Sequence, residues 1–355
     1  MATLVGSSSY VYVTTRLRVR KTKLIPRDEY IRMLNMSLPE ITRVIQETEY
    51  KREIDELGWA FSGLDLVEVA LSWNLAKEYQ KVLEILPRPL QHMTEIYLRR
   101  WDIQNVLNIL RGKDQGLSQG RIKEVLIPAG ELDRVFQDRL LTLDSSEKIV
   151  DALKGWRLYP VLELEYRPAV EIGSYSHMEN ELYKKLYTDI LDEAKSGIKQ
   201  GDAFLDYVRL EIDIKNIQNL FRLRSKEEKG DIRDLMIPGG SFSIEELQQL
   251  NQIKGSEEFV DSLVKKVRNK SLLSVLEDYL KGGASSGGSL RDVEIALTRV
   301  QLQQMEKMSK LHPFTIWPIL AYLELKRYEI VNLRALARGK EAGLSSEKIR
   351  SYLVM

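Results

Sequence analysis

Asp102-Ile103-Gln104-Asn105, closed six positions later by Arg111, occurs twice more in this chain in variant form. It returns as Asp213-Ile214-Lys215-Asn216 with Arg222, and as Glu329-Ile330-Val331-Asn332 with Arg338. The acids stand at 102, 213 and 329, steps of 111 and 116 in a chain of 355 residues. Repetition at such a period decides architecture before any single residue does. The chain reads as three versions of one module, a body suited to holding something.

A second mark recurs with the first. Leu24-Ile25-Pro26, Leu126-Ile127-Pro128 and Met236-Ile237-Pro238 each set an aliphatic pair before a proline. Proline lacks a backbone donor and restricts its predecessor, so a helix stops there. Leu353-Val354-Met355 falls where a fourth mark would stand. These marks divide the chain into modules at 1–127, 128–237 and 238–355. Three units of this length fit ordinary domain sizes and each can bury a modest core.

Between the marks the periodicity is helical, and the fold class is all-α. Leu90, Met93, Tyr97, Trp101, Val106 and Leu110 form one stripe. Phe204, Tyr207, Leu210, Ile214, Ile217 and Phe221 form the second, and Ile319, Leu323, Ile330, Leu333 and Ala337 the third. Each predicts one long amphipathic helix. Gly112 and Gly339, directly after the repeated arginines, are expected to end two of these helices. Ser118 and Ser345 then cap the next helix, with Leu117 and Ile122, or Leu344 and Ile349, as a hydrophobic staple. The middle module departs here, with Leu223 for the glycine and a charged loop at Lys226–Lys229. Gly282–Gly288 reads as a flexible loop, and residues 10–23 as an N-terminal helix completing the first module.

Composition bounds the function. Lys and Arg total 53 against 52 for Asp and Glu, without the basic excess of a nucleic-acid binder. Cysteine is absent, so disulfides and thiolate metal sites are excluded. Residues 1–9 lack the features of a signal peptide. The apolar stretch from Pro313 to Leu323 is about half of the roughly 20 residues a membrane-spanning helix needs.

No constellation reads as an active site. His92, His177 and His312 lie far apart in dissimilar contexts, so no metal site is expected. Gly282–Gly288 and Gly239-Gly240 lack the ending of a phosphate loop. The acids Asp102, Asp213 and Glu329 stand three residues before Asn105, Asn216 and Asn332, on one helix face. Asparagine is a poor helix-interior residue, so its return three times predicts buried polar anchors rather than paired catalytic acids. Arg111, Arg222 and Arg338 read as helix-end cations at corresponding corners, with contact to a partner as the second reading. Arg16, Arg18, Arg20, Lys21 and Lys23 form the one concentrated basic run. It reads as a solvated helix face, with RNA or anionic lipid binding as the other reading. Trp59, Trp73, Trp101, Trp156 and Trp317 are dispersed along helical stretches and are expected in the core.

In order and length these features resemble the C subunits of the A/V-type ATP synthases (ATPases), whose eukaryotic relative is the d subunit of the V-ATPases. The likeness rests on Tyr10-Val11-Tyr12, the basic helix, Leu24-Ile25-Pro26 and Tyr30-Ile31-Arg32-Met33-Leu34. It continues through the three acid-Ile-x-Asn segments to Gly343-Leu344-Ser345 and Ile349. The resemblance implies a funnel of three similar modules with pseudo-threefold symmetry, at the cytoplasmic face of the cell membrane as a peripheral protein. It implies a central-stalk socket between the membrane rotor ring of proteolipid subunits and the central shaft, during proton- or sodium-driven ATP synthesis. No catalytic, cofactor or metal site is implied, nor any small-molecule substrate or nucleic acid, and the isolated chain is expected to be monomeric. Two competing classes are a generic helical repeat scaffold and a helical enzyme. The closed count of three argues against the first, and the missing His clusters, Cys and phosphate loop against the second.

Overall fold

The computed structural model describes residues 2–195, 201–225, 230–267, 269, 272–273, 276 and 290–355. Among these there is no strand. The Leu-Ile-Pro mark separates α1 (Ala2–Lys21) from α2 (Arg27–Met33), and α3 (Leu38–Gln46), α4 (Lys51–Leu57) and α5 (Gly63–Leu83) follow. Then come α6 (Arg88–Leu98), α7 (Arg100–Asp114), α8 (Gln119–Glu124), α9 (Arg134–Thr142), α10 (Ser146–Ala152) and α11 (Tyr159–Ile172). The long helices α12 (Ser176–Lys195) and α13 (Gly201–Ser225) precede a 3₁₀ turn, Arg233–Leu235. The series ends with α14 (Ile244–Gln252), α15 (Ser256–Lys266), α16 (Leu290–Leu311), α17 (Trp317–Glu341) and α18 (Ser346–Arg350). The expected loops at Lys226–Lys229 and Gly282–Gly288 fall outside the described residues.

Two compact units result. The first joins Met1–Leu186 to Tyr322–Leu353, so the C-terminal part of α17 belongs with the N-terminal helices. In its core α5 buries Val67, Leu71, Leu75 and Tyr79, α7 buries Ile103, Val106 and Leu110, and α17 buries Leu323, Leu333 and Leu336. The Tyr79 and Trp101 rings meet at 6.1 Å. The second unit holds Tyr187–Ala321 with Val354–Met355. There α13 places Leu210, Ile214, Ile217 and Phe221 among Leu247, Leu250, Phe259 and Leu297 of α14–α16. Phe221 meets Phe259 nearly edge-on at 5.3 Å. Each such side chain contributes about 1.5–3 kcal/mol by leaving water.

Three expectations change. The first apolar stripe is two helices, because the chain tightens at Arg99, where Asp102 N–H bonds back only three residues to the Arg99 carbonyl. The second and third stripes lie on single helices of 25 residues, α13 and α17. Gly112 and Gly339 do not end their helices. The left-handed residues are Gly116 and Gly343, φ 68° and 66°, one turn later. Leu117 N–H bonds the Gly112 carbonyl and Leu344 N–H the Gly339 carbonyl, both at 2.9 Å, which closes a Schellman motif at each end. Gly112 and Gly339 are instead places of close approach, since a Cβ at either would run into Ile122 or Ile349. The serine caps form as expected, with Ser118 Oγ accepting from Arg121 N–H and Ser345 Oγ from Lys348 N–H.

Trp59 is the third. Trp101, Trp156 and Trp317 are buried and Trp73 partly so, but Trp59 is 88 % exposed. It sits on the turn ending α4, where Ala60 and Phe61 N–H groups both bond the Leu57 carbonyl, and that turn faces water.

Candidate functional site

On α7, Asp102 and Asn105 face the loop that follows Ile127. The Asn105 amide donates to the Ile127 carbonyl at 2.7 Å and its Oδ1 accepts from Ile127 N–H at 2.9 Å. One carboxamide thus satisfies both polar groups of the residue before the proline. Asp102 Oδ2 accepts from Glu131 N–H at 2.8 Å and Oδ1 from Leu132 N–H at 3.0 Å. Gly130 lies so close that a Cβ would overlap the Asp102 carboxylate. On α13 the pattern returns. Asn216 donates to the Ile237 carbonyl and accepts from Ile237 N–H, both at 2.8 Å, and Asp213 accepts from Ser241 N–H at 2.7 Å. Gly240 takes the place of Gly130 against the carboxylate. Each such bond is worth about 1 kcal/mol net, and more if one partner is lost.

Burial governs the charge of these acids. Asp102 is fully enclosed, and desolvation pushes its carboxyl up to about 7 against the pull of the Leu132 and Glu131 N–H groups. Burial raises Asp213 as well, opposed by Ser241 and Phe242.

The third copy solves the same problem differently. Glu329 is one methylene longer, and its Oε2 accepts from Ile25 N–H at 2.6 Å, at the first aliphatic-proline mark. Its Oε1 accepts from Tyr50 O–H at 2.6 Å and from Lys326 Nζ at 2.8 Å. Lys326 Nζ also reaches the Tyr50 hydroxyl at 2.8 Å. Asn332 hydrogen-bonds the Tyr30 hydroxyl, and burial followed by the nearby Glu329 charge drives the Tyr30 phenol upward. Earlier on the same helix, Glu324 holds Arg327 at 2.6 Å and the Tyr97 hydroxyl. Glu78 on α5 takes Arg20 and, at 2.6 Å, Tyr322 O–H. Glu324 carries no repeat signal. Lys326 and Arg327 stand three and two residues before Glu329 as Arg99 and Arg100 stand before Asp102, a likeness that does not by itself tell that they are enclosed.

The repeated arginines make a second set of contacts. Arg111 pairs with Glu179 on α12 at 2.6 Å, Arg222 with Glu294 on α16 at 2.6 Å, and Arg338 with Glu68 on α5 at 2.5 Å. These glutamates escaped the sequence reading, although a signal exists. Glu68, Glu179 and Glu294 precede the acids at 102, 213 and 329 by 34, 34 and 35 residues. Each stands near the start of a long helix that precedes the acid-asparagine stripe in the chain.

Beside the first clasp, a groove of about 590 Å³ separates α5 from the α8–α9 corner. Arg134 lies over the Trp73 ring there, at 4.4 Å. Most neighbouring cations are neutralised, Lys77 by Glu53 and Lys123 by Asp138. Among the described residues no three His, Cys, Asp or Glu side chains assemble to hold a metal. None of the described helices is long and apolar enough to cross a membrane.

Residues 13–352 match the model of the ATP synthase (C/AC39) subunit family. The C subunit of the A-type ATP synthase of Methanosarcina mazei is 39 % identical over 354 residues, covering 99 % of this chain and 94 % of its own length. Its counterpart in Archaeoglobus fulgidus is 35 % identical, covering 98 % and 97 %. That of Haloferax volcanii is 32 % identical, covering 99 % of both. Identity spread across the full length, on an all-helical frame, fixes the assignment: the chain belongs to the ATP synthase (C/AC39) subunit family, a structural and non-catalytic component of a rotary ATP synthase.

Proposed function

We propose that this protein is the central-stalk socket that couples the membrane rotor ring of proteolipid subunits to the central shaft during ion-driven ATP synthesis. It sits at the cytoplasmic face of the membrane as a peripheral protein and is monomeric when isolated. Its modules, 1–127, 128–237 and 238–355, close around a pseudo-threefold axis into a funnel, with the acid-asparagine pairs as structural anchors.

One observation carries this reading, namely the order of the arginine–glutamate pairs. The first module's Arg111 meets the second module's Glu179, and the second module's Arg222 meets Glu294 of the third. The third module's Arg338 then returns to Glu68 of the first. An open solenoid has no such return, because each repeat touches only its sequence neighbours. This favours a closed socket over a generic helical scaffold. Close-packed interiors deform little, so a closed helical body can pass torque from ring to shaft.

The test is affinity capture of the tagged chain from native membranes in mild detergent. Recovery of the proteolipid ring together with stalk proteins is expected. Recovery of catalytic subunits without the ring would overturn the coupling role.

A further inference from the structure

The basic run near the N-terminus is the sequence feature that the coupling role leaves unused, and the structure divides it in two. Arg20 turns inward to Glu78, and Lys23 pairs with Glu49 at 2.9 Å. Arg16 and Arg18 remain exposed with no carboxylate partner among the described residues. Neighbours in sequence offer them none either, since the first acid in the chain is Asp28. In a protein whose charges otherwise balance at 53 against 52, this is a local asymmetry.

The helical positions make the face legible. Val13, Thr14 and Leu17 are buried and anchor α1 to its unit. At about 100° per residue, the exposed residues between positions 11 and 19 fall on one continuous arc. Arg18 stands at one edge, then Val11, Thr15, Val19 and Tyr12 follow, and Arg16 closes the other edge. Val11, Tyr12 and Val19 are 48 %, 51 % and 55 % exposed. Arg16 also lies 5.7 Å from the centre of the Tyr12 ring. An apolar centre bordered by cations, with an aromatic among them, is the pattern of a helix lying in a membrane interface.

We propose that the outer face of α1 rests on an anionic bilayer surface, with Val11, Tyr12 and Val19 entering the headgroup layer and Arg16 and Arg18 binding lipid phosphates. This deepens the peripheral placement in the coupling role and rests on it. Two cations and three modest apolar groups give weak binding alone. Held beside a membrane by the rest of the complex, the same face acts at high effective concentration.

Co-sedimentation of the purified full chain tests this, with vesicles of phosphatidylcholine containing 30 mol% phosphatidylglycerol against vesicles of phosphatidylcholine alone. Binding is expected to the anionic vesicles only, released by 0.5 M salt as screening shortens the reach of the charges. Arg16→Glu with Arg18→Glu should weaken it by roughly twenty-five-fold or more, at about fivefold per cation removed, with an unchanged melting temperature. Equal binding to both vesicle types, no binding to either, or unchanged binding by the double variant would overturn the proposal. A double variant that fails to join the complex, while the unaltered chain ignores vesicles, would assign the face to an acidic protein segment and also overturn it. Loss of vesicle binding with normal recovery of the ring in the capture experiment would leave the coupling role standing.

Discussion

The clasps on α7 and α13 differ from that on α17 in what surrounds the carboxylate. Asp102 and Asp213 meet backbone N–H groups and a glycine, whereas Glu329 meets a lysine, a tyrosine and Ile25 N–H. The first two fasten a loop to the helix that precedes it, across 21 to 30 residues of chain, a local connection. The third fastens a helix near the C-terminus to a corner near the N-terminus, 304 residues away in sequence. A short acid with a close glycine serves the local corners. The long-range corner uses a longer acid with a cation of its own, which offsets the desolvation that otherwise falls on the carboxylate.

The largest effect should come from Glu329→Ala. It leaves Lys326 buried without its carboxylate and strips Tyr50 and Ile25 N–H of an acceptor. A loss of about 3–5 kcal/mol is expected, read from the urea midpoint of the transition that reports the first unit. A loss below about 1 kcal/mol would remove the distinction between the clasps. Next comes Gly130→Ala. The added methyl must displace a carboxylate already fixed by two N–H donors, at about 1–3 kcal/mol. Alanine at Gly155, where nothing lies within 4 Å of the new Cβ, is the control and should change little.

Asp102→Asn sharpens the comparison through pH. With its folded value raised to about 7 from the ordinary carboxylate range, Asp102 favours the folded state when protonated. Its stabilising contribution is therefore complete below about pH 4 and is lost as pH rises toward 7. Urea unfolding across that interval should show this decline, and the asparagine variant, which has no proton to lose, should flatten it. A slope that survives the substitution would assign the effect to another group. The smallest effect belongs to the arginine–glutamate pairs. Solvent at the arginines, exposed at Arg222 and Arg338 and half-buried at Arg111, limits each of Arg111→Ala, Arg222→Ala and Arg338→Ala to about 0–1 kcal/mol of thermal stability. A larger loss at one site alone would show that the three corners are not equivalent.

What the sequence made legible followed from backbone physics. Prolines, serine caps and helical periodicity report local geometry, so Ser118, Ser345 and the Ile-Pro corners were readable, and an asparagine retained in three helices pointed to a buried partner. Helix ends were harder. Gly112 precedes the true left-handed Gly116 by one turn, and only the packing of Ile122 explains why a glycine stands there. The ionic cluster of Glu324, Lys326 and Arg327 was hidden, since charged residues spaced along a helix look like a solvated face until long-range packing encloses them. Trp59 failed in the opposite direction. An aromatic near the end of a helical stripe gives no sign that its turn points into water. Glu68, Glu179 and Glu294 were findable, because they keep the repeat spacing, but glutamate is too common for one copy to signal its partner.

Closure of the third copy onto the first is the claim on which the socket depends, and the absence of native cysteine makes it directly measurable. Cysteines replacing Glu68 and Arg338 should be joined by a short bismaleimide within the monomer, as efficiently as the pair replacing Arg111 and Glu179. Efficient linkage at 111 and 179 with none at 68 and 338 would mean that the copies form an open row, and would contradict the socket.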